Sequence, residues 1–150
     1  MPYPEELIAP MRQDLVQLGF KELKTAEDVD EILGTERRTT AVVINSVCGC
    51  SAGGMRPAVA ASLGNALKPD VLLSVFAGQD LEATERAREY FTGYPPSSPA
   101  VALMKDGELV FMLERHQIEG RHPLEIADTL KAAYDEHCSA SQEAPEVPAV

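Results

Sequence analysis

The hydrophobic pattern alternates between short apolar runs and longer segments in which apolar residues recur at helical spacing. The run 41–44, rich in β-branched residues, and the run 71–76 are bounded by polar residues and predict buried strands. Between them, a repeat of four predicts one long helix whose buried stripe is formed by Met55, Val59, Leu63 and Leu67. Strand, helix and strand in this order predict a right-handed crossover with two parallel strands.

The second half of the chain predicts another helix followed by a hairpin. Asp80 can cap the N-terminus of a helix that runs to about Phe91. The run 100–105 predicts a third strand, Asp106-Gly107 a tight turn, and 108–114 the antiparallel partner of the third strand. This hairpin adds an antiparallel pair to the sheet that the crossover begins.

Helical spacing also occurs at both ends of the chain. The segment 7–18 predicts a first helix, which is either kinked at Pro10 or begins near it. Thr25, with Asp28 three residues later, resembles a capping box at the start of a short second helix. A last helix is expected to begin near Pro123.

This order of elements predicts an α/β fold of thioredoxin-like architecture. We expect a mixed sheet flanked by helices on both faces, with an extra N-terminal helical segment. The length of the chain suits one domain, which we place at residues 1–138. Residues 139–150 are polar and proline-rich, and we expect them to form a disordered tail.

Composition and charge argue against several classes of function and partner. The formal net charge of −11 argues against nucleic acid or an anionic membrane surface as a partner, because phosphate binding requires clustered Lys and Arg. The N-terminus lacks the pattern of a signal peptide, and no apolar run approaches the roughly 18 residues that span a bilayer. We therefore expect a cytoplasmic protein. Its three cysteines are too few for a secreted disulfide framework.

The candidate chemistry centres on Cys48-Gly49-Cys50, where the first buried strand runs into a helix. Unpaired N–H groups and the positive end of the helix dipole favour a thiolate there. Two cysteines could instead ligate zinc, copper or an iron–sulfur cluster, but such sites need about four ligands, and neither Cys138 nor His116 belongs to a second ligand pair. The motif therefore indicates redox chemistry ahead of metal binding.

Three further positions are candidates for the site or its surroundings. Ser98-Pro99 precedes the third strand, where thioredoxin-like proteins hold a cis proline facing the active cysteine, although most X–Pro bonds are trans. Cys138 continues one face of the last helix and is interpreted as a packed residue, with a reserve thiol as the alternative. Arg115-His116 could supply positive charge near the thiol.

Five blocks of the sequence closely resemble the bacilliredoxin family: 45–50 (NSVCGC), 75–80 (VFAGQD), 88–93 (REYFTG), 96–99 (PSSP) and 115–120 (RHQIEG). The combination is specific, whereas CGC alone would be weak. The resemblance runs to about Cys138, where relatives tend to end, so the tail is expected to be a departure of this chain.

The resemblance implies a thioredoxin-like enzyme that removes bacillithiol from mixed disulfides on client proteins. Cys48 is then the attacking thiol and Cys50 the resolving candidate, with Gly49, Ser98 and Pro99 in support. No cofactor is expected to be bound, and bacillithiol acts as the thiol co-substrate. Because its malate carries carboxylates while the protein is acidic, local groups must supply affinity, and the candidates are the helix-start N–H groups of 51–54, Arg56, Arg115 and His116.

Two other classes of function stay open from the sequence. One is a general reductase or isomerase of protein disulfides, which would differ in its choice of client. The other is a non-enzymatic metal-binding module. In the redox function, either Cys50 or a second bacillithiol could resolve the intermediate.

Overall fold

The computed structural model describes residues 3–138. The predicted tail, 139–150, lies outside the described residues. The elements in chain order are α1 Glu5–Val16, β1 Lys21–Glu22, α2 Ala26–Leu33, β2 Thr40–Asn45, a π-helical turn Ser51–Met55, α3 Arg56–Ser62, β3 Val71–Phe76, α4 Leu81–Glu89, β4 Ala100–Lys105, β5 Glu108–Leu113, a 3-10 turn Arg115–Gln117 and α5 Pro123–His137.

The five strands form one mixed sheet in the order β1-β3-β2-β4-β5. Strand β2 lies at its centre, parallel to β3 and antiparallel to β4, and β4 and β5 form the predicted hairpin. The crossover, the hairpin and the thioredoxin-like architecture are therefore confirmed. Strand β1 was not predicted, because its two residues at the sheet edge are too few to show a pattern.

Helices cover both faces of the sheet, and all six residues of β2 are buried as a result. Alternate side chains of a strand point to opposite faces. Accordingly, Val43 packs with Val59 of α3 and Leu130 of α5 in one core, while Val42 packs with Val29 of α2 in the other. The buried run at 41–44 thus has the composition expected of a strand covered on both sides.

The prediction of one long helix after the cysteines is wrong, because the helix is shorter and less regular than predicted. Helix α3 ends at Ser62, and Leu63 lies beyond it, only partly buried against the core. The helix is preceded by a π turn in which the Arg56 N–H donates to the Ser51 carbonyl, five residues back. Pro57 explains the irregularity, because it has no N–H and its ring crowds the carbonyl four residues earlier.

Asp80 occupies the N-cap position of α4, but its side chain does not cap the helix, contrary to the prediction. Its carboxylate instead accepts two hydrogen bonds from Arg12 of α1, at 2.8 and 2.9 Å. Arg12 is 7% exposed and also pairs with Glu5 and Glu22. This buried ion cluster fixes the N-terminal helix to the β3–α4 junction.

Several local predictions are confirmed. Thr25 and Asp28 form a capping box at the start of α2. Asp106 and Gly107 both have positive φ, +56° and +79°, which suits the tight turn of the β4–β5 hairpin. Cys138 is buried in the core at the end of α5, and burial raises the pKa of its thiol to about 11, as expected of a packed residue. Within residues 3–138, no helix is both long and apolar enough to span a bilayer.

Candidate active site

The cysteine pair lies where the central strand β2 passes into the helical segment. The Cys48 carbonyl accepts hydrogen bonds from the N–H groups of Ser51 and Ala52, at 2.9 and 3.2 Å, so the first turn begins at Cys48. Both cysteines are free thiols of intermediate exposure, and their Sγ atoms are 2.7 Å apart. The two sulfurs are thus in direct contact at the N-terminal end of the helical segment.

The surroundings shift the pKa values of these two thiols in opposite directions. The hydrogen bond from the Cys50 thiol, the backbone N–H of Cys50 and the charge of Arg115 lower the pKa of Cys48. Burial and the neighbouring Cys48 thiolate raise the pKa of Cys50 to about 11. The first proton to leave the pair is therefore that of Cys48. The Cys50 thiol stays protonated and donates a hydrogen bond to the Cys48 thiolate.

Arg115 connects the segment 46–50, here called the cysteine loop, to the loop before β4. Its guanidinium donates from Nη2 to Cys48 Sγ at 3.2 Å and from Nη1 to the Ser98 carbonyl at 3.3 Å. Its Nε pairs with Glu119 at 2.8 Å, and its backbone N–H donates to Ser97 Oγ at 2.7 Å. The predicted positive charge beside the thiol is therefore supplied by Arg115.

The Ser98-Pro99 peptide bond is cis, which confirms the prediction. Pro99 directly precedes β4, whose first residue, Ala100, pairs with Ile44 near the end of β2. This register places the proline loop beside the cysteine loop, and Arg115 joins the two through one guanidinium. The topology, not local sequence, thus brings residues 48 and 98 together.

Arg56 lies largely buried between α1 and the segment that carries the cysteines. It is 6% exposed, and its Nε donates to Asp14 of α1 at 3.1 Å. Its Nη1 donates to Asn45 Oδ1, the Ser46 carbonyl and Ser51 Oγ, at 2.8, 3.0 and 3.1 Å. These contacts hold the guanidinium beneath the cysteine loop as a structural brace, and the expected role of Arg56 in substrate binding stays a prediction.

Asn45 and Ser46 complete this support. Asn45 Nδ2 donates to the Met11 carbonyl of α1 at 3.0 Å, and Asn45 Oδ1 accepts from the Ser46 N–H at 2.9 Å. Ser46 Oγ in turn accepts the N–H of Cys48 at 3.0 Å. The extra N-terminal helix therefore helps to fix the backbone that carries Cys48.

Gly49 is exposed, and its backbone is not left-handed. A methyl group at this position would meet no atom within 4 Å. The supporting role expected for Gly49 therefore has no steric basis in the dithiol state and stays a prediction for the oxidised state.

A cleft of about 480 Å³ opens beside the cysteine loop. His116 lies exposed on its wall, so its predicted role in binding stays a prediction. Arg88 also lines the cleft from α4. It is the first residue of the block 88–93, but it is not among the predicted site residues. The signal was its position next to Ala87 and four residues after Thr84, both buried, which puts an arginine at the edge of the buried face.

Within residues 3–138, no cluster of three or more His, Cys, Asp or Glu side chains is arranged to hold a metal ion. The alternative of a metal-binding module therefore lacks a third ligand in this part of the chain.

Solved structures with the same fold include thioredoxins. Oxidised thioredoxin O2 of Arabidopsis thaliana superposes with a TM-score of 0.55 at 14% identity, covering 79% of this chain and 96% of that one. Fasciola hepatica thioredoxin gives 0.53 at 17% identity, covering 79% and 99%. With the cysteine pair at the helix start and the cis proline opposite it, the chain is a thioredoxin-like thiol–disulfide oxidoreductase.

Sequence comparisons identify the family. The family described as "Disulphide isomerase" matches residues 3–138. A bacilliredoxin of Bacillus licheniformis is 53% identical over 137 residues, covering 91% of this chain and 95% of the relative. A bacilliredoxin of Shouchella clausii is 51% identical over 136 residues, with the same coverage. The chain belongs to the bacilliredoxin family.

The C-terminal segment is not a departure of this chain alone. A bacilliredoxin of Salinibacter ruber is 50% identical over 150 residues, and this match covers 99% of the chain and 88% of the relative. The expectation that relatives end near Cys138 is therefore wrong for this relative.

Proposed function

We propose that this oxidoreductase removes bacillithiol from S-bacillithiolated client proteins, with Cys48 as the attacking thiol. The observation that carries the proposal is the contrast within the cysteine pair. Cys48 has a lowered pKa and receives hydrogen bonds from Arg115 and from the Cys50 N–H, while Cys50 holds its proton. Family membership supplies the identity of the adduct.

The first step is a thiol–disulfide exchange. The Cys48 thiolate attacks the bacillithiol sulfur of the mixed disulfide, and a new S–S bond forms between Cys48 and bacillithiol. The bond between bacillithiol and the client breaks, and the client sulfur leaves as a thiolate that takes a proton from water. No net oxidation occurs in this step, because one disulfide replaces another.

Two routes can then remove bacillithiol from Cys48. Cys50 can attack the Cys48 sulfur, releasing bacillithiol and leaving a Cys48–Cys50 disulfide, which two further equivalents of a thiol such as bacillithiol reduce to restore both cysteines. Alternatively, free bacillithiol attacks the bacillithiol sulfur of the adduct, forming bacillithiol disulfide and releasing the Cys48 thiolate. Forming the mixed disulfide removes the Cys48 charge, which is one cause of the high pKa of Cys50. Cys50 therefore becomes easier to deprotonate at the stage where its thiolate is needed.

The proposed partners follow from this chemistry. They are bacillithiolated proteins and free bacillithiol as co-substrate, in a reducing cytoplasm and without a prosthetic group. Ser98 and Pro99 support the site by presenting backbone next to Cys48, where a client chain can approach.

A second candidate function is reduction or isomerisation of client disulfides. The family description "Disulphide isomerase" favours it, and so does the direct contact of the two thiols, which suits a dithiol mechanism. Client preference separates the two functions.

The test uses one client protein with a single cysteine, prepared with bacillithiol or with glutathione on that cysteine. We expect faster release of the client thiol from the bacillithiolated form. Equal rates would leave only a generic oxidoreductase. Slow release from both, alongside fast reduction of a protein disulfide, would favour the second candidate.

A further inference from the structure

The cleft beside Cys48 has the dimensions of a small-molecule site. Its volume of about 480 Å³ lies within the range usual for ligand pockets. Two arginines flank the Ser97–Ser98 backbone: Arg88 Nη2 approaches the Ser97 carbonyl at 3.5 Å, and Arg115 binds Ser97 Oγ and the Ser98 carbonyl. The cleft is lined by Arg88, Pro95, Pro96, Ser97, Ser98, Glu114, Arg115, His116 and Glu119.

Arg88 lacks the carboxylate partner that five of the eight arginines have within residues 3–138. Its Nε is buried and has no hydrogen-bond partner, and no carboxylate of residues 3–138 lies within ion-pair distance of it. By contrast, Arg12, Arg56 and Arg86 each pair with at least one carboxylate. Burial alone lowers the pKa of Arg88. The guanidinium nevertheless stays charged at neutral pH.

An unpaired, partly buried cation is unexpected in a protein with 24 acidic and 13 basic residues. The acidic side chains on the cleft do not account for it. Glu119 pairs with Arg115 at 2.8 Å, and Glu114 lies on the wall without an ion pair to Arg88. The buried Nε is shut off from the cleft, so an anion in the cleft would be bound by the Nη groups, and of these only Nη2 has a partner among residues 3–138, the Ser97 carbonyl. Donors without a partner cost free energy when they are withdrawn from water, and a bound anion would supply their acceptor.

We propose that Arg88 is a specificity-determining residue that binds the carboxylates of the small thiol, the malate end of bacillithiol, while the sulfur of that thiol lies at Cys48. This inference rests on the proposed function and assigns its substrate subsite. A guanidinium presents two parallel N–H donors that match a carboxylate. Arg115 then lies between this subsite and the reacting sulfur of Cys48. The bound thiol extends over the backbone of Ser97 and Ser98.

The test compares two adducts on one single-cysteine client, bacillithiol and mercaptoethanol, which has no carboxylate. Arg88→Gln removes the charge, and Arg88→Lys keeps the charge but not the two parallel donors. Arg86→Gln is the matched control, because Arg86 lies on the same helix and pairs with Asp30 and Glu89 away from the cleft. The readout is kcat/KM for release of the client thiol.

We expect Arg88→Gln to lower kcat/KM about tenfold for the bacillithiol adduct, mainly through KM, the loss usual for a charge-assisted hydrogen bond. The mercaptoethanol adduct and the control variant should stay within about twofold of wild type. Arg88→Lys should give a smaller loss, confined to bacillithiol.

Equal slowing of both adducts would mean that Arg88 contacts the client or supports the loop, and would overturn the inference. An unchanged rate for bacillithiol would overturn it as well. The wild-type rates report separately on the proposed function, because activity on both adducts with no effect of Arg88 removes the subsite and leaves the function in place.

Discussion

Cys48 and Cys50 are two residues apart but differ in what they contact. Cys48 receives donors from the Cys50 thiol, the Cys50 backbone and Arg115, while Cys50 is the more deeply buried of the pair and faces the Cys48 charge. Thiolate fraction and accessibility together set the rate of attack. The two thiols therefore differ in pKa because they differ in hydrogen-bond donors and in burial, and this division between a thiolate and a protonated thiol begins at single residues.

The pH dependence of alkylation tests this division. Because the Cys50 thiol is the largest cause of the low pKa of Cys48 and Arg115 a smaller one, Cys50→Ala should raise that pKa more than Arg115→Gln does. Removing either group takes away stabilisation of the thiolate, so the half-point of Cys48 labelling moves to higher pH. Iodoacetamide rates at Cys48, followed by peptide mass spectrometry, measure both shifts.

Arg86→Gln serves as the control for charge, since Arg86 lies away from the thiols. If the half-point of Cys48 labelling stays at the wild-type pH in both Cys50→Ala and Arg115→Gln, the causes assigned to the lowered pKa of Cys48 are contradicted.

The brace formed by Arg56 gives a second prediction at this scale. Arg56→Met would remove the hydrogen bonds that Arg56 donates to Asn45 Oδ1, the Ser46 carbonyl and Ser51 Oγ. We expect the free energy of unfolding to fall by about 2–3 kcal/mol, the usual loss when buried hydrogen bonds to a charged group are removed. Urea denaturation measures it.

Arg38→Met is the matched control, because Arg38 is 62% exposed and its one ion pair within residues 3–138 is with Glu36. It should change stability by less than about 0.5 kcal/mol. Normal stability of Arg56→Met together with a raised KM would instead support the predicted role of Arg56 as a substrate ligand.

At the scale of elements, α1 is held by two polar attachments. Arg12 binds Asp80 at the start of α4, and Met11 and Asp14 bind the support beneath the cysteine loop. The N-terminal helix is thus tied both to the sheet edge and to the active-site backbone. We infer that loosening α1 disturbs the cysteine loop.

Asp80 distinguishes an ion-pair role from a capping role. Asparagine caps helices as well as aspartate does, so Asp80→Asn would be harmless if the side chain capped α4. Because the carboxylate binds Arg12 instead, we expect Asp80→Asn and Asp80→Ala to destabilise the protein by a similar amount, about 1–3 kcal/mol. Thermal and urea unfolding of both variants measure this. Full stability of Asp80→Asn with loss only in Asp80→Ala would support capping.

The elements differ in how well local sequence predicts them. The runs at β2, β3 and β4, the Thr25 capping box and the Asp106-Gly107 turn depend on neighbouring residues, and each was predicted. The extent of α3 was not, because the apolar stripe continues past its end, through residues that pack from a loop. Likewise, a capping residue such as Asp80 shows no local sign that an arginine 68 positions away will bind its carboxylate.

The same distinction holds for the site. The cysteine pair and its reactivity follow from a strand that runs into a helix. The residues around that pair come from distant segments. Arg115, from the turn after β5, contacts Cys48 and also Ser98 of the loop before β4, and Arg88 of α4 contacts Ser97 of the same loop. The direction of a long side chain depends on what surrounds it, and for this reason the sequence alone does not show that Arg56 lies beneath the cysteine loop or that Arg88 lines the cleft.

At the scale of the whole molecule, the sheet order brings three loops to one end. Strand β2 lies between β3 and β4, so the loop after β2, the loop before β4 and the turn after β5 meet around Cys48. A protein with a net charge of −11 repels anionic substrates at a distance, but this repulsion is largely screened beyond about 8–10 Å at cellular ionic strength. Affinity for an acidic thiol then depends on the arginines at this end.

In the proposed mechanism, Cys48 takes bacillithiol from the client and Cys50 does not. Intact-mass spectrometry of Cys48→Ala and Cys50→Ala after incubation with a bacillithiolated client tests it most directly. Cys50→Ala should carry one bacillithiol, on Cys48, with release of an equal amount of client thiol, while Cys48→Ala should stay unmodified. A bacillithiol adduct retained in Cys48→Ala, or no client release by Cys50→Ala, would contradict the mechanism.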